Sequence, residues 1–289
     1  MTLSFEARPA AKSPANDIGH RIQRVAIYTV LFLFALWYLT PIYVLLVTSF
    51  KSSSAVNLST MWQPPTSISL DGFSKAWTAL APNMLNSLLL AIPAAAISAV
   101  LGSINGYVLS KWKFRGSELV FTLILFGMFI PYQSILIPLT KIMTTIGLNG
   151  SIPGLILVHV IYGIPITTLI FRNFYAGIPG ELLEAAKVDG AGFLRIYSAI
   201  MLPLSVTGFM VVLIWQFNSV WNDFLFAVTL TTPNNWPVTV ALNNLAGSFS
   251  VDWNVQMAGA MIAALPTLVI FIIMGRYFVR GVLAGSVKG

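Results

Sequence analysis

The sequence predicts an all-α membrane protein of six transmembrane helices, and three observations carry that reading. The chain is 57% hydrophobic and only 9% charged over 289 residues, whereas a soluble domain carries roughly a quarter charged residues. Its apolar runs continue for about twenty residues, the length a helix needs to cross a hydrocarbon core of roughly 30 Å. They lack the short alternating segments of barrel strands, and in lipid only helices or closed barrels satisfy every backbone polar group.

A polar tail, residues 1–20 with Pro9 and Pro14, comes first and is expected to be cytoplasmic and poorly ordered. The membrane domain then takes in residues 21–289. Its first span runs over about 25–49, too long for a signal peptide and without a small-x-small cleavage site, so it is read as retained. The second covers about 84–110, the third about 119–139 and the fourth about 152–171. The fifth covers about 204–226 and the sixth about 257–279. Pro41, Pro131 and Pro138 lie inside spans and predict bends, which a bundle tolerates where neighbours satisfy the freed carbonyls. Before the second span, Phe73, Ala76, Trp77 and Leu80 fit one helical face. That piece reads as an interfacial helix anchored by Trp77, with contact to an external partner as the alternative.

Orientation follows from the cations. With the N-terminus inside, the inner segments hold Arg8, Lys12, Arg21, Arg24, Lys111, Lys113, Arg115, Arg172, Lys187, Arg195, Arg276, Arg280 and Lys288. The outer segments hold Lys51, Lys75 and Lys141. This excess places both termini in the cytoplasm under the positive-inside rule. The net charge of +7 is therefore spread through connections and is no nucleic-acid stripe. The chain has no cysteine, hence no disulfide framework or thiolate metal site. His20 and His159 lack nearby ligand spacing, and no metal site is expected. No Gly-x-x-x-x-Gly-Lys-Ser/Thr occurs, so no nucleotide site is expected on this chain.

The polar break at about 178–203 reads as a docking element. Pro179 suits the first turn of a short helix, where its missing N–H costs little. Glu181 and Glu184 then complement the helix dipole. Ala185 and Ala186 keep the helix slim enough for a partner's close approach, and Leu183 and Val188 offer apolar contact. Gly190 ends the helix in the left-handed conformation of a tight exit. A second helical piece follows, and Pro203 opens the fifth span.

The register Glu184-Ala185-Ala186, Gly190, then Ile200, Leu202 and Pro203 resembles the EAA motif of ABC importer permeases. The similarity extends along the chain. Thr48-Ser49-Phe50-Lys51, Ile130-Pro131, Ile137-Pro138-Leu139 and Gly147-Leu148-Asn149 resemble signatures of the MetI/MalG-like permeases of carbohydrate importers. So do Phe171-Arg172-Asn173-Phe174, Trp221-Asn222-Asp223-Phe224 and the tail Arg276 to Gly281 with Gly285 to Gly289. Many members carry a proline where this chain has Thr207. The stretch Asn105 to Ser110 with Trp112 to Gly116, and Ala241 to Leu245, are similar to glucose/mannose-type members.

The resemblance implies an ATP-driven importer in which this chain forms half of the path. Glu184, Ala185, Ala186, Asp189, Gly190, Ile200, Leu202 and Pro203 would couple it to an ATPase, with Gly285, Val287, Lys288 and Gly289 as a further ATPase contact. ATP and Mg would sit on that partner, and this chain would bind no cofactor and catalyse no covalent step. The implied partners are a homologous second permease, two ATPase subunits and an extracytoplasmic sugar-binding protein. The membrane would be a prokaryotic cell (inner) membrane, and the cargo a monosaccharide such as glucose or mannose, with other sugars as alternatives.

Substrate candidates come from span five. Gln216, Ser219 and Asp223 are spaced by three and four, with Asn222 beside them. Such a polar face suits either sugar hydroxyls or contacts between helices. His159 likewise reads as a pathway group or an interhelical hydrogen bonder. Trp215 and Trp221 suit sugar stacking or a membrane belt, and the stretch 231–254 reads as a binding-protein contact or a solvated loop. An ion-coupled transporter would need an intramembrane ionisable cluster and inverted repeats, and neither is visible.

Overall fold

The computed structural model describes the backbone of residues 14–286 apart from 58, 113 and 248–251, and side chains over 19–275 with the same gaps. Among these residues there are helices and one isolated bridge, Gly150 to Thr231, but no strand. Four helices are long and apolar enough to cross a membrane: α1 (Pro14–Ser49), α2 (Asp71–Lys111), α5 (Ile152–Ala176) and α12 (Trp253–Ser286). Two bent pairs supply the remaining spans, for six in all if each pair crosses once.

The first bent pair is the expected third span, broken far more sharply than a proline kink predicts. Helix α3 (Ser117–Phe126) continues through a 3₁₀ turn to Phe129, and α4 (Tyr132–Thr145) leaves at 98°. The cause is local. Ile130 before Pro131 sits at φ −77°, ψ 114°, because a proline ring disfavours the α region for the residue ahead of it. Pro138 is carried inside α4.

Helix α2 corrects the second span. It starts at Asp71, so the Phe73–Leu80 piece is its first turns and no separate interfacial helix. Its 41 residues span about 60 Å at 1.5 Å each, twice the hydrocarbon thickness. Ala76 and Leu80 are fully buried while Trp77 faces out, and the helix runs through Pro82 and Pro93. In the same way α1 begins inside the expected tail and runs through Pro41.

Helices α2 and α5 form the centre of the bundle. They touch through Gly102 and Gly106, a Gly-x-x-x-Gly face on which small residues let backbones meet. A Cβ at Gly106 would stand 2.6 Å from Phe171 Cβ and 2.7 Å from Arg172 N. Helix α9 (Val206–Trp221) packs on both, and α12 packs on α2 and α9. Helix α1 lies against α12 and leaves Trp37 and Tyr38 exposed, as a lipid-facing span does.

The connection after α9 is more built than a loop. Helix α10 (Leu225–Leu230), a 3₁₀ turn and α11 (Val238–Leu245) fold back over the bundle. Asn83 Nδ2 donates to the Trp236 carbonyl at 2.8 Å, and Val238 N donates to Ser87 Oγ at 2.8 Å. Val238 and Val240 are fully buried while Thr232, Pro233, Asn234, Asn243 and Asn244 are exposed, so the described part of 231–254 is a packed cap with an open outer face.

Candidate functional site

Span five ends at Trp221, earlier than expected, because two side chains stop it. Asn222 Nδ2 donates back to the Asn218 carbonyl at 2.9 Å, and Asp223 Oδ2 accepts from Ala227 N at 3.0 Å at the start of α10. Asp223 therefore sits at a helix junction, not on a continuous stripe. It faces His159 of α5, whose Nε2 stands 3.5 Å from Asp223 Oδ2 without a completed hydrogen bond. Both side chains are nearly buried, at 7% and 12% exposure.

These groups line a cavity of about 510 Å³. All four expected residues, Gln216, Ser219, Asn222 and Asp223, reach its wall. So do Trp215, weighed above for sugar stacking, and Phe224 next to Asp223, while Tyr132 from α4 and Tyr162 and Gly163 from α5 join them from elsewhere in the chain. Gln216 is 3% exposed and its amide donates to the His159 carbonyl at 3.1 Å and approaches Ser98 Oγ at 3.4 Å. It fits because α5 carries Gly163 there, where a Cβ would overlap the amide. Gln216 thus fastens span five to span four as well as lining the wall. The chemistry is a wall of ring faces with a few convergent polar groups, the usual make-up of a small-molecule site. Trp215 remains half exposed at the cavity. Trp221 does not: it is buried, stacks on Phe217 at 5.5 Å and donates to the Ala263 carbonyl at 3.0 Å. It is a packing residue, neither a sugar platform nor a belt anchor.

The element expected to dock lies at the opposite end of α5. Helix α6 (Glu181–Val188) begins after Pro179 and Gly180, so the proline precedes the helix and does not occupy its first turn. Asp189 is the C-cap, and Gly190 leaves at φ +78°. Leu183 and Ala186 are buried in a core with Tyr107, Phe171 and Tyr175. Ala186 therefore serves the helix's own seat, while Glu184, Ala185 and Asp189 face outward. Val188 is 88% exposed and Leu194 of α7 (Phe193–Ile196) is 75% exposed. The C-terminal end of α2 braces this element: Lys111 Nζ donates to the Ile178 carbonyl at 2.6 Å, and Lys187 Nζ lies 4.7 Å from the Trp112 ring centroid.

From α7 the chain passes through a π turn, Tyr197–Met201, into α8 (Leu202–Leu204). Ile200 is half-buried there, Leu202 is exposed, and Pro203 lies in α8. The chain then bends by 75° at Ser205 into α9. Pro203 precedes the bend, so the fifth span opens at Val206, and Thr207 in place of proline does not abolish the bend. Of the expected tail contacts, Gly285 falls in α12, and Val287, Lys288 and Gly289 lie outside the described residues.

Known proteins match this chain over most of its length. A probable ABC transporter permease protein of Pyrococcus horikoshii is 49% identical, covering 92% of this chain and 98% of its own. The glucose import system permease protein of Saccharolobus solfataricus is 35% identical, with 91% and 95% covered. The xylose/arabinose import permease protein of Haloferax volcanii is 33% identical, with 90% and 92% covered. Among solved structures, a bacterial ABC transporter involved in the import of the acidic polysaccharide alginate has a chain of the same fold, with a TM-score of 0.77 at 21% identity, covering 96% of this chain and 100% of that one. Residues 98–283 match the binding-protein-dependent transport system inner membrane component family. That stretch takes in the central α2–α5 contact, the docking element and the cavity, and the chain belongs to this family of transport permeases.

Proposed function

We propose that this chain is one permease half of an ATP-driven sugar importer, moved by an ATPase that grips α6. The observation that carries this reading is the outward face of α6. Glu184 and Ala185 are exposed on a helix whose other face is locked into the bundle by Leu183 and Ala186. An 88%-exposed Val188 beside them is an apolar group without a seat of its own. A push on such a helix is transmitted, because its base is packed.

ATP and Mg bind the ATPase pair, and this chain supplies no catalytic group. Closing of the ATPases draws the docking helices of two homologous permeases together and opens the bundle outward. An extracytoplasmic binding protein then delivers sugar, and hydrolysis returns the bundle inward. Both termini face the cytoplasm. The stroke works only because the ATPase contacts differ between the two states.

The cargo is a neutral monosaccharide such as glucose or mannose. The cavity lining includes Asp223 and His159 but, among the described residues, no lysine or arginine, so an acidic sugar would meet a carboxylate with no cation to receive it. Relatives named for glucose and for xylose/arabinose import support that size class. A larger glycan is the second reading, favoured by the relative named for diacetylchitobiose uptake in Streptomyces coelicolor. Uptake of radiolabelled glucose by cells carrying the complete operon, challenged with unlabelled mannose, glucuronate and chitobiose, decides between them. Competition by mannose alone supports a neutral monosaccharide, and competition by glucuronate or chitobiose alone refutes it.

A further inference from the structure

A second feature lies between the docking element and the cavity, and it rests on the docking reading above. Four hydroxyls meet in the core behind α6. Ser103 Oγ of α2 lies 2.6 Å from Tyr175 OH of α5 and 2.9 Å from Tyr197 OH of the π turn. Tyr175 OH donates to Ser205 Oγ at 3.1 Å, and Ser205 Oγ donates to the Leu202 carbonyl at 3.0 Å. Ser103, Tyr175 and Ser205 have no exposed surface.

The direction of this chain follows from counting protons. Each hydroxyl has one to donate. The Leu202 carbonyl can only accept, so Ser205 donates to it and must accept from Tyr175. Tyr175 has then used its proton and must accept from Ser103, which in turn accepts from Tyr197. The order is Tyr197 to Ser103 to Tyr175 to Ser205 to Leu202, with every hydroxyl donating once.

The placement is as specific as the polarity. Tyr197 opens the π turn, and Ser205 is the residue at which the chain bends by 75°. A π turn and a bend are both sites where the backbone has left the regular ladder. Ser103 and Tyr175 belong to the closely packed α2–α5 pair, the rigid part of the bundle. We propose that the four hydroxyls are the joint that carries movement of the docking element into spans two and four, with Ser205 as its pivot. Rotation at Ser205 takes its oxygen away from Tyr175 and leaves a buried phenol without an acceptor. A small rotation is therefore penalised, and the joint favours discrete positions over continuous flexing. Tyr175 and Ser205 are positioning residues. They touch neither cargo nor ATPase, and act by making one end of the machine follow the other.

The test uses the complete complex of both permeases and both ATPases in vesicles, and reads ATP hydrolysed per sugar imported. Tyr175→Phe keeps the ring and deletes the donor. Ser205→Ala deletes the acceptor. A change of one buried hydrogen bond shifts a two-state equilibrium by about five- to thirty-fold, so each variant should waste ATP at least about fivefold. In the double variant the losses should not multiply, because donor and acceptor leave together. An unchanged ratio in assembled complex overturns the proposal, as does transport falling in proportion to hydrolysis, the mark of a merely structural role. If Tyr175→Phe does not assemble, Ser205→Ala decides alone. Glu184→Lys serves as the control. If it too leaves coupling intact, the docking reading fails. If it uncouples while Tyr175→Phe and Ser205→Ala do not, only the joint fails.

Discussion

Gly190→Ala isolates the geometry of the docking turn. Gly190 holds φ at +78°, and a Cβ built there meets nothing within 4 Å. The substitution therefore creates no clash, and its whole cost is backbone conformation. For an L-residue in the left-handed region that cost is about 1–2 kcal/mol. Gly180 is the matched control. It stands at the opposite end of α6 in the ordinary helical region, at φ −66° and ψ −31°, and its Cβ would also meet open space. There, Gly→Ala should be neutral or stabilising by about 0.4–1 kcal/mol. A penalty of about 1–2 kcal/mol shifts the population of the native turn by about five- to thirty-fold. The assay is the number of ATP molecules hydrolysed per sugar imported by the reconstituted complex, with thermal unfolding alongside. Gly190→Ala should raise the ratio and Gly180→Ala should leave it alone. Indistinguishable ratios for the two variants would refute the claim that the turn after α6 transmits force.

Other perturbations address other parts of the molecule. Asp223→Asn keeps an acceptor for Ala227 N but removes the carboxylate facing His159. Hydrogen bonds to a charged group contribute about 1.5–3 kcal/mol, so uptake at low sugar should fall about ten- to hundred-fold with ATP use per sugar unchanged. A rise in that ratio would move Asp223 from the path to the coupling machinery. Gly106→Ala forces a Cβ against Phe171 and Arg172 and should cost about 1–3 kcal/mol of overpacking, read as a lower Tm in detergent. An unshifted Tm would mean that the α2–α5 contact gives way to an added methyl. Gly163→Ala should displace the Gln216 amide and reduce sugar uptake without loss of ATPase binding, measured by co-purification.

The short helix and its glycine exit after α5 were legible because their signals are local. Glutamates at a helix start, a glycine at its exit and the spacing to Pro203 all fall within about two dozen neighbouring positions, and φ +78° at Gly190 bears out the exit. Half of the cavity was legible for the same reason, since Gln216, Ser219, Asn222 and Asp223 are close in sequence. The other half was not. Tyr132 and Tyr162 arrive from α4 and α5 by tertiary packing, and no spacing announces them, whereas His159 was read from the sequence as a pathway group or an interhelical hydrogen bonder. Prolines misled in both directions. The second span was expected to begin at about residue 84, yet α2 runs from Asp71 through Pro82, and its buried register from Ala76 through Leu80 to Ser87 was the available signal. Pro131 reads as a bend inside a span, and it breaks the span by 98° because Ile130 before it is extended. The Gly102–Gly106 face is a small-xxx-small pattern in the sequence that was not read there, and the structure shows it to be the α2–α5 contact.

The central claim is that force enters this chain from a separate ATPase through α6. Vesicles that contain this chain with its partner permease and ATPases should accumulate sugar only when ATP is supplied, and a Glu184→Lys complex should hydrolyse ATP without accumulating it. Accumulation of sugar against a gradient by vesicles that contain this chain alone would contradict the account.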